Sequence, residues 1–136
     1  MSRVALVRCA SYDSAEVAAA IRRGIALLGG AERFVRPGER LLLKPNLLIG
    51  RDADRAVTTH PAVFRAVAEV LRESGAVLTY GDSPGFGRVE AVAGKCGIGE
   101  VARELGIPLA DFVSPVAVPY PAGRLIKQFT IARGVI

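Results

Sequence analysis

The sequence predicts an α/β protein: a parallel-sheet, doubly wound (Rossmann-like) three-layer core with an antiparallel or extended C-terminal segment. Two observations support this prediction. Short apolar runs, typical of buried strands, alternate three times with segments of helical periodicity. After residue 112, extended segments punctuated by proline replace that alternation. Strand–helix–strand units favour parallel pairing through right-handed crossovers, so we expect helices on both faces of the sheet.

The first strand–helix unit lies near the N-terminus. The apolar run at residues 4–7 predicts a strand. Asp13 with Glu16 three positions later resembles a capping box at the start of a helix. Apolar side chains then recur on one helical face at Val17, Ile21, Ile25 and Leu28. Gly29 and Gly30 end this predicted helix.

The second unit follows a turn at residues 36–39. The apolar run that starts at Leu41 predicts a buried strand, which stops near Lys44 because Pro45 cannot donate to a central ladder. Residues 50–58 form a polar loop. Thr59-His60-Pro61 is typical of a helix start, and apolar positions continue to Ser74-Gly75.

The third unit begins with a strand at residues 76–80, which runs directly into the turn 81–87. Residues 89–105 are helical in pattern, but Gly97 and Gly99 favour two short helices over one. A fourth strand is predicted at residues 109–112.

The 136 residues match the length of one domain. We divide the chain into an α/β core, residues 1–112, and an extended C-terminal segment of the same domain, residues 113–136. The sequence stops inside an apolar run, so we expect that this segment is truncated.

Composition excludes several classes of protein. No apolar stretch approaches the roughly 18 residues of a membrane span, and the N-terminus lacks a signal-peptide core, so a cytoplasmic location is expected. The net charge is +5, of which Arg124, Lys127 and Arg133 in the tail supply three. Because aromatic residues are only 6% of the chain and no basic stripe covers the core, nucleic-acid binding is not expected.

The cysteine and histidine counts limit cofactors and metals. Cys9 and Cys96 are too few for a disulfide framework or a four-cysteine iron–sulfur cluster, and both are expected to be buried. His60 is the only histidine, so a metal site of several imidazoles is excluded. No cofactor is expected to bind this chain alone.

Polar residues follow the predicted strands where ligands bind in parallel sheets. Lys44 and Asn46 follow one strand, Asp82 and Ser83 follow another, and Thr58, Thr59 and His60 precede a helix. This set predicts a site for an anion or a metal, with His60 and Asp82 as a candidate proton-transfer pair. Each residue also has a structural interpretation: Lys44 extends to solvent, Asn46 and Asp82 form turns, and the threonines and His60 start a helix.

Two glycine motifs fail at decisive positions. Gly85-Phe86-Gly87 is followed by Glu90 where a dinucleotide fingerprint needs its third glycine. Gly94-Lys95 is followed by Cys96 where a P-loop needs serine or threonine. Neither a standard dinucleotide site nor a P-loop is therefore expected.

Three segments, residues 43–48, 58–61 and 80–85, occur in the order and spacing typical of the domain-of-unknown-function 362 family, and the whole chain resembles the N-terminal part of that domain. The resemblance maps the family motifs onto Lys44, Pro45, Asn46, Thr59, His60, Pro61, Gly81, Asp82 and Ser83. Longer relatives commonly carry a ferredoxin-like segment with two [4Fe–4S] clusters, whose cysteines are absent here. The family has no settled activity.

Three functions are compatible with these observations. The preferred hypothesis is an α/β module that binds an anionic ligand or metal, associated with iron–sulfur redox proteins. A second is an enzyme fragment that uses the His60/Asp82 pair. A third is a non-catalytic domain that docks a ferredoxin-like partner through its basic tail. An exposed sheet edge would also favour a homo-oligomer.

Overall fold

The computed structural model describes residues 3–136. Helices and strands alternate along the first two-thirds of this range, and a hairpin follows. The elements are α1 (Ser14–Leu27), β1 (Arg40–Leu43), α2 (Pro61–Glu73), β2 (Val77–Tyr80), α3 (Val89–Lys95), α4 (Ile98–Glu104), β3 (Pro115–Pro119) and β4 (Gln128–Ala132).

Helix α1 begins at the predicted cap. The Asp13 carboxylate accepts hydrogen bonds from the backbone N–H groups of Ala15 and Glu16 at 3.0 and 3.1 Å. Glu16 turns back toward the preceding loop, where it accepts from the Ala10 N–H and the Ser11 hydroxyl instead of the Asp13 N–H. The capping box is therefore half formed, and the second carboxylate fixes the entry loop instead.

The central sheet consists of β1 and β2, which pair in parallel from Arg40 opposite Val77 to Leu43 opposite Tyr80. One face of this pair carries Leu78 and Tyr80, which belong to a single core with side chains of α2, α3 and α4. Leu41 and Leu43 pack against the same core. The mixed α/β class and the parallel pairing are thus confirmed.

The predicted three-layer, doubly wound core is not confirmed. Leu42 and Thr79 on the opposite face of the strand pair are only half-buried, and Val77 is 55% exposed. The order of the strands explains the difference. Tyr80 pairs with β1 on one side and makes a single parallel bridge to Leu109 on the other, so both crossovers advance in one direction. Right-handed crossovers that advance in one direction place their helices on the same face.

Two predicted strands do not form. Residues 4–7 lie beside α1 but pair with no strand among the residues described, and Val4 and Leu6 are 90% and 95% exposed. The segment 109–112 makes only the bridge at Leu109. Its extension ends because the Asp111 carboxylate accepts from the N–H groups of Val113 and Ser114, which turns the chain.

The C-terminal segment is antiparallel, as predicted. Strands β3 and β4 pair from Pro115 opposite Ala132 to Pro119 opposite Gln128. Backbone hydrogen bonds from Arg133 to Ser114 and from Gly134 to Asp111 connect this hairpin to the core.

Helices α1 and α2 pack together, and the segment 5–12 closes an apolar cleft of about 730 Å³ between them. Cys96 is buried in the core as predicted, but Cys9 borders this cleft and is exposed, so its predicted burial is wrong. Throughout residues 3–136, no helix has the length and apolarity that a bilayer crossing needs.

Candidate functional site

Three loops meet beyond the carboxyl ends of β1 and β2, and we call them the first (residues 44–48), second (58–60) and third (81–86) loops. The Gly81 N–H donates to the Leu43 carbonyl at 3.0 Å, and the Gly85 N–H donates to the Leu48 carbonyl at 3.1 Å. These bonds hold the third loop along the first. The sequence motifs that follow the two strands are therefore adjacent in space.

The first loop also binds the second. The Thr59 N–H donates to the Asn46 carbonyl at 3.3 Å, and the Asn46 N–H donates to the Thr59 hydroxyl at 3.2 Å. This reciprocal pair gives Thr59 a structural role between the loops. The first loop thus connects all three motifs.

Asp82 is the charged residue at the centre of this arrangement and is only 6% exposed. One carboxylate oxygen accepts the N–H of fully buried Leu47 at 2.8 Å, and the other lies 2.7 Å from the Lys44 ammonium. Burial by itself raises the pKa of Asp82. The hydrogen bonds from Leu47 and Lys44 outweigh that effect, so the pKa lies below its ordinary value and the side chain is ionised at neutral pH.

Lys44 is held by this carboxylate, yet 55% of its side chain remains exposed. An ammonium has three N–H donors, and Asp82 can occupy only one side of it. The outer side therefore faces solvent. The structure thus gives Lys44 an ion-pair partner within the chain, while its predicted role in ligand binding stays a prediction.

His60 caps α2. Its Nδ1 accepts the Ala62 N–H at 3.2 Å, and Pro61 occupies the first turn of the helix. The imidazole also stacks on the Tyr12 ring, with centroids 3.7 Å apart and planes 12° from parallel. Burial lowers the pKa of His60, and a neutral ring is also what the cap requires, because only an unprotonated Nδ1 can accept.

The structure does not join His60 to Asp82. Within residues 3–136, His60 bonds Ala62 and Asp82 bonds Leu47 and Lys44, with no hydrogen bond between the two side chains. The helix-start interpretation of His60 therefore has direct geometric support.

The remaining predicted ligand-binding residues lie one in each loop: Asn46 in the first, Thr58 in the second and Ser83 in the third. Asn46 and Ser83 are exposed, and Thr58 is half-buried. Their side chains make no hydrogen bond to other protein groups in the described range. They are free to contact a ligand from solvent.

The sequence analysis did not predict the contact between Tyr12 and His60. Tyr12 lies in the loop after the first extended segment, 48 positions from His60, so no local pattern connects the two. The available signal was topological: if residues 4–7 run parallel to β1, the loop that follows them reaches the same edge as the three loops.

The residues present do not fit an iron–sulfur cluster. Cys96 is buried with its Sγ 3.5 Å from the Ala93 carbonyl, and Cys9 is exposed beside α1. A cluster needs four thiolates or equivalent ligands. Among residues 3–136, no three His, Cys, Asp or Glu side chains are grouped as metal ligands.

Comparisons with known proteins show the family of this chain. The model of DUF362, a domain of unknown function, matches residues 41–136, so the chain belongs to that family. This range contains all three loops. The thylakoid-associated protein sll1697 of Synechocystis sp. is 41% identical over 109 residues, which cover 80% of this chain and 34% of that relative. The chain thus spans about a third of the length of the relative. No solved structure matches it.

Proposed function

We propose that this chain is a ligand-binding module that holds a small anionic group at Lys44. The observation that carries the proposal is the environment of its ammonium, which is fixed 2.7 Å from a nearly buried carboxylate while its outer side remains open. A lysine held in this way loses little additional side-chain freedom when it binds an anion. Asp82 acts here as a positioning residue.

The groups around Lys44 suit an anion better than a metal ion. Both oxygens of Asp82 already accept hydrogen bonds or ion-pair contacts, so a divalent cation would have to displace Lys44. Asn46 and Ser83, in the same loops as Lys44 and Asp82, offer exposed donors, and neutral His60 carries its proton on Nε2. Because Asp82 offsets the charge of Lys44, the expected affinity is modest.

Association with iron–sulfur redox proteins remains part of this proposal and stays a prediction from the resemblance of the sequence to longer relatives. The module would then supply the anion site, and any cluster would belong to other polypeptide. The thylakoid association of the Synechocystis relative supports a further proposal, that this module works at a membrane surface.

The hairpin favours a second candidate function, docking of an acidic partner protein. Leu125 is 95% exposed, and Ile126 and Phe129 are also exposed, in the segment where Arg124 and Lys127 precede β4 and Arg133 follows it. Lys127 donates to the Pro121 carbonyl and Arg133 lies 3.9 Å from Asp111, and both residues are exposed. Exposed apolar groups beside basic ones are typical of a docking surface for an acidic protein.

The proton-transfer pair has no comparable support, because His60 and Asp82 are both engaged in other contacts. It stays a prediction from the sequence.

Phosphate and acetate binding, measured by thermal shift and calorimetry, tests the proposal. A ligand at one hundred times its dissociation constant adds roughly 2.7 kcal/mol to stability. We expect Lys44→Ala to abolish this gain. Lys95→Ala is the matched control, because Lys95 is also paired with an aspartate, Asp52, and its side chain is similarly exposed at 59%. Equal anion binding by Lys44→Ala and the unaltered chain would refute the proposal.

A further inference from the structure

We propose that the ligand of this site carries a flat ring as well as an anionic group, and that the stacked pair Tyr12–His60 is the platform for that ring. The inference rests on the anion site proposed above and names its ligand class: a phosphorylated heteroaromatic compound, of which a nucleoside monophosphate is the simplest probe.

The platform is an exposed π-surface. The Tyr12 and His60 rings lie nearly parallel at 3.7 Å, yet 60% of Tyr12 remains exposed. Since His60 covers one face of the phenol ring, the exposed surface includes the other face. Flat heteroaromatic rings stack on such a face with little dependence on their identity.

The platform has a fixed orientation. The Ala62 N–H holds the imidazole of His60 through Nδ1, and the imidazole in turn supports the Tyr12 ring. In the chain immediately before Tyr12, the Ser11 hydroxyl and the Ala10 N–H both donate to Glu16 at the start of α1. The Tyr12 ring is therefore supported by the cap of α2, and the chain before it is fixed to α1.

The platform and the ammonium belong to one connected framework. His60 lies in the second loop, next to Thr59, which makes the reciprocal hydrogen bonds with Asn46. Asn46 is two residues from Lys44 in the first loop. In the proposed complex, a ligand with its phosphate at Lys44 extends along the second loop toward Tyr12.

This mode of recognition differs from the glycine-rich phosphate cradles. The sequence has neither a dinucleotide fingerprint nor a P-loop, so the phosphate has one ammonium in place of a ring of backbone N–H groups. The ring must then contribute a large share of the binding.

Calorimetry with AMP, ribose 5-phosphate and inorganic phosphate tests the inference. In the unaltered chain, AMP is expected to bind about tenfold more tightly than ribose 5-phosphate, because only AMP can stack. Tyr12→Leu should remove that difference and leave phosphate binding unchanged, whereas Tyr12→Phe should keep it. Tyr120→Leu is the control, since Tyr120 is also an exposed tyrosine but packs on Phe129 in the hairpin.

The outcomes separate the two proposals. If phosphate binds but AMP is no tighter than ribose 5-phosphate, the platform is refuted and the anion site stands. If none of the three binds, both fail. NMR verifies the fold of Tyr12→Leu. The imidazole signals of His60, the only histidine, should lose the ring-current shift from Tyr12, while the signals of the rest of the chain stay in place.

Discussion

At the scale of single residues, Asp82 connects the third loop to the first. Asp82→Ala leaves the buried N–H of Leu47 without an acceptor and Lys44 without its partner. We expect the free energy of unfolding to fall by about 1–3 kcal/mol in urea titrations. Asp52→Ala, which breaks an exposed pair with Lys95, should cause no measurable loss and serves as the control.

Asp82 also makes the free energy of unfolding depend on pH in the acidic range. Because the pKa of Asp82 is lower in the folded chain than in the unfolded chain, its contribution is complete above the unfolded value of about 3.9. The contribution is lost as pH falls through the folded value. Carboxylates titrate between about pH 5 and pH 2. Over this range, the free energy of unfolding of Asp82→Asn should therefore fall less than that of the unaltered chain. Identical acid profiles of the two proteins would contradict this role.

His60 gives a second, separate dependence on pH. Its folded pKa is lowered by burial, so protonation favours the unfolded chain. Its contribution is complete above the unfolded value of about 6.5 and declines as pH falls below it. Asn also caps helices but does not titrate, so the melting temperature of His60→Asn should fall less than that of the unaltered chain between about pH 7.5 and 5.5. An equal fall in both would show that His60 does not cap α2 in solution.

At the scale of elements, two helical glycines have opposite surroundings. A Cβ on Gly24 of α1 would meet only the Val7 side chain at 3.7 Å, an ordinary contact. On Gly99 of α4 it would meet backbone atoms of Ala93 and Gly94 at 3.2 Å. Gly24→Ala should therefore stabilise the chain by about 0.5–1 kcal/mol in thermal or urea unfolding, whereas Gly99→Ala should destabilise it. Stabilisation by both, or by neither, would contradict this account of the helices.

Helices were more predictable from sequence than strands, for a physical reason. The signals for α1, α2 and the break between α3 and α4 are local; at the break, Gly97 adopts a left-handed backbone with φ of 83°. A strand needs a partner that may lie far away in the chain. The apolar runs at 4–7 and 41–43 look alike, but only the second has a neighbour with which to pair.

At the scale of the whole molecule, the direction of the crossovers decides the number of layers. A βαβ pattern fixes the parallel pairing of β1 with β2, but it does not reveal whether the next strand continues outward or returns to the other edge. Here the chain continues outward to Leu109. Within residues 3–136, α2, α3 and α4 therefore cover the same face of the β1–β2 sheet. The doubly wound expectation assumed a reversal that these residues do not contain.

The candidate site was predictable in outline. The rule that ligands bind at the carboxyl ends of parallel strands brings Lys44, Asn46, Thr59 and Asp82 to one edge, where the structure joins them. The rule does not predict which side chains contact each other, because those contacts depend on the conformation of the loops. In the structure, Asp82 contacts Lys44, and His60 contacts Tyr12. Their roles in binding remain predictions.

The most direct test of the central claim is a phosphate titration followed by the backbone amide signals of the ¹⁵N-labelled chain. Our account predicts saturable shifts in the first, second and third loops that disappear in Lys44→Ala and persist in Lys95→Ala. Shifts confined to the basic hairpin, or no saturable shift, would contradict it and leave the strand-end loops with a purely structural role.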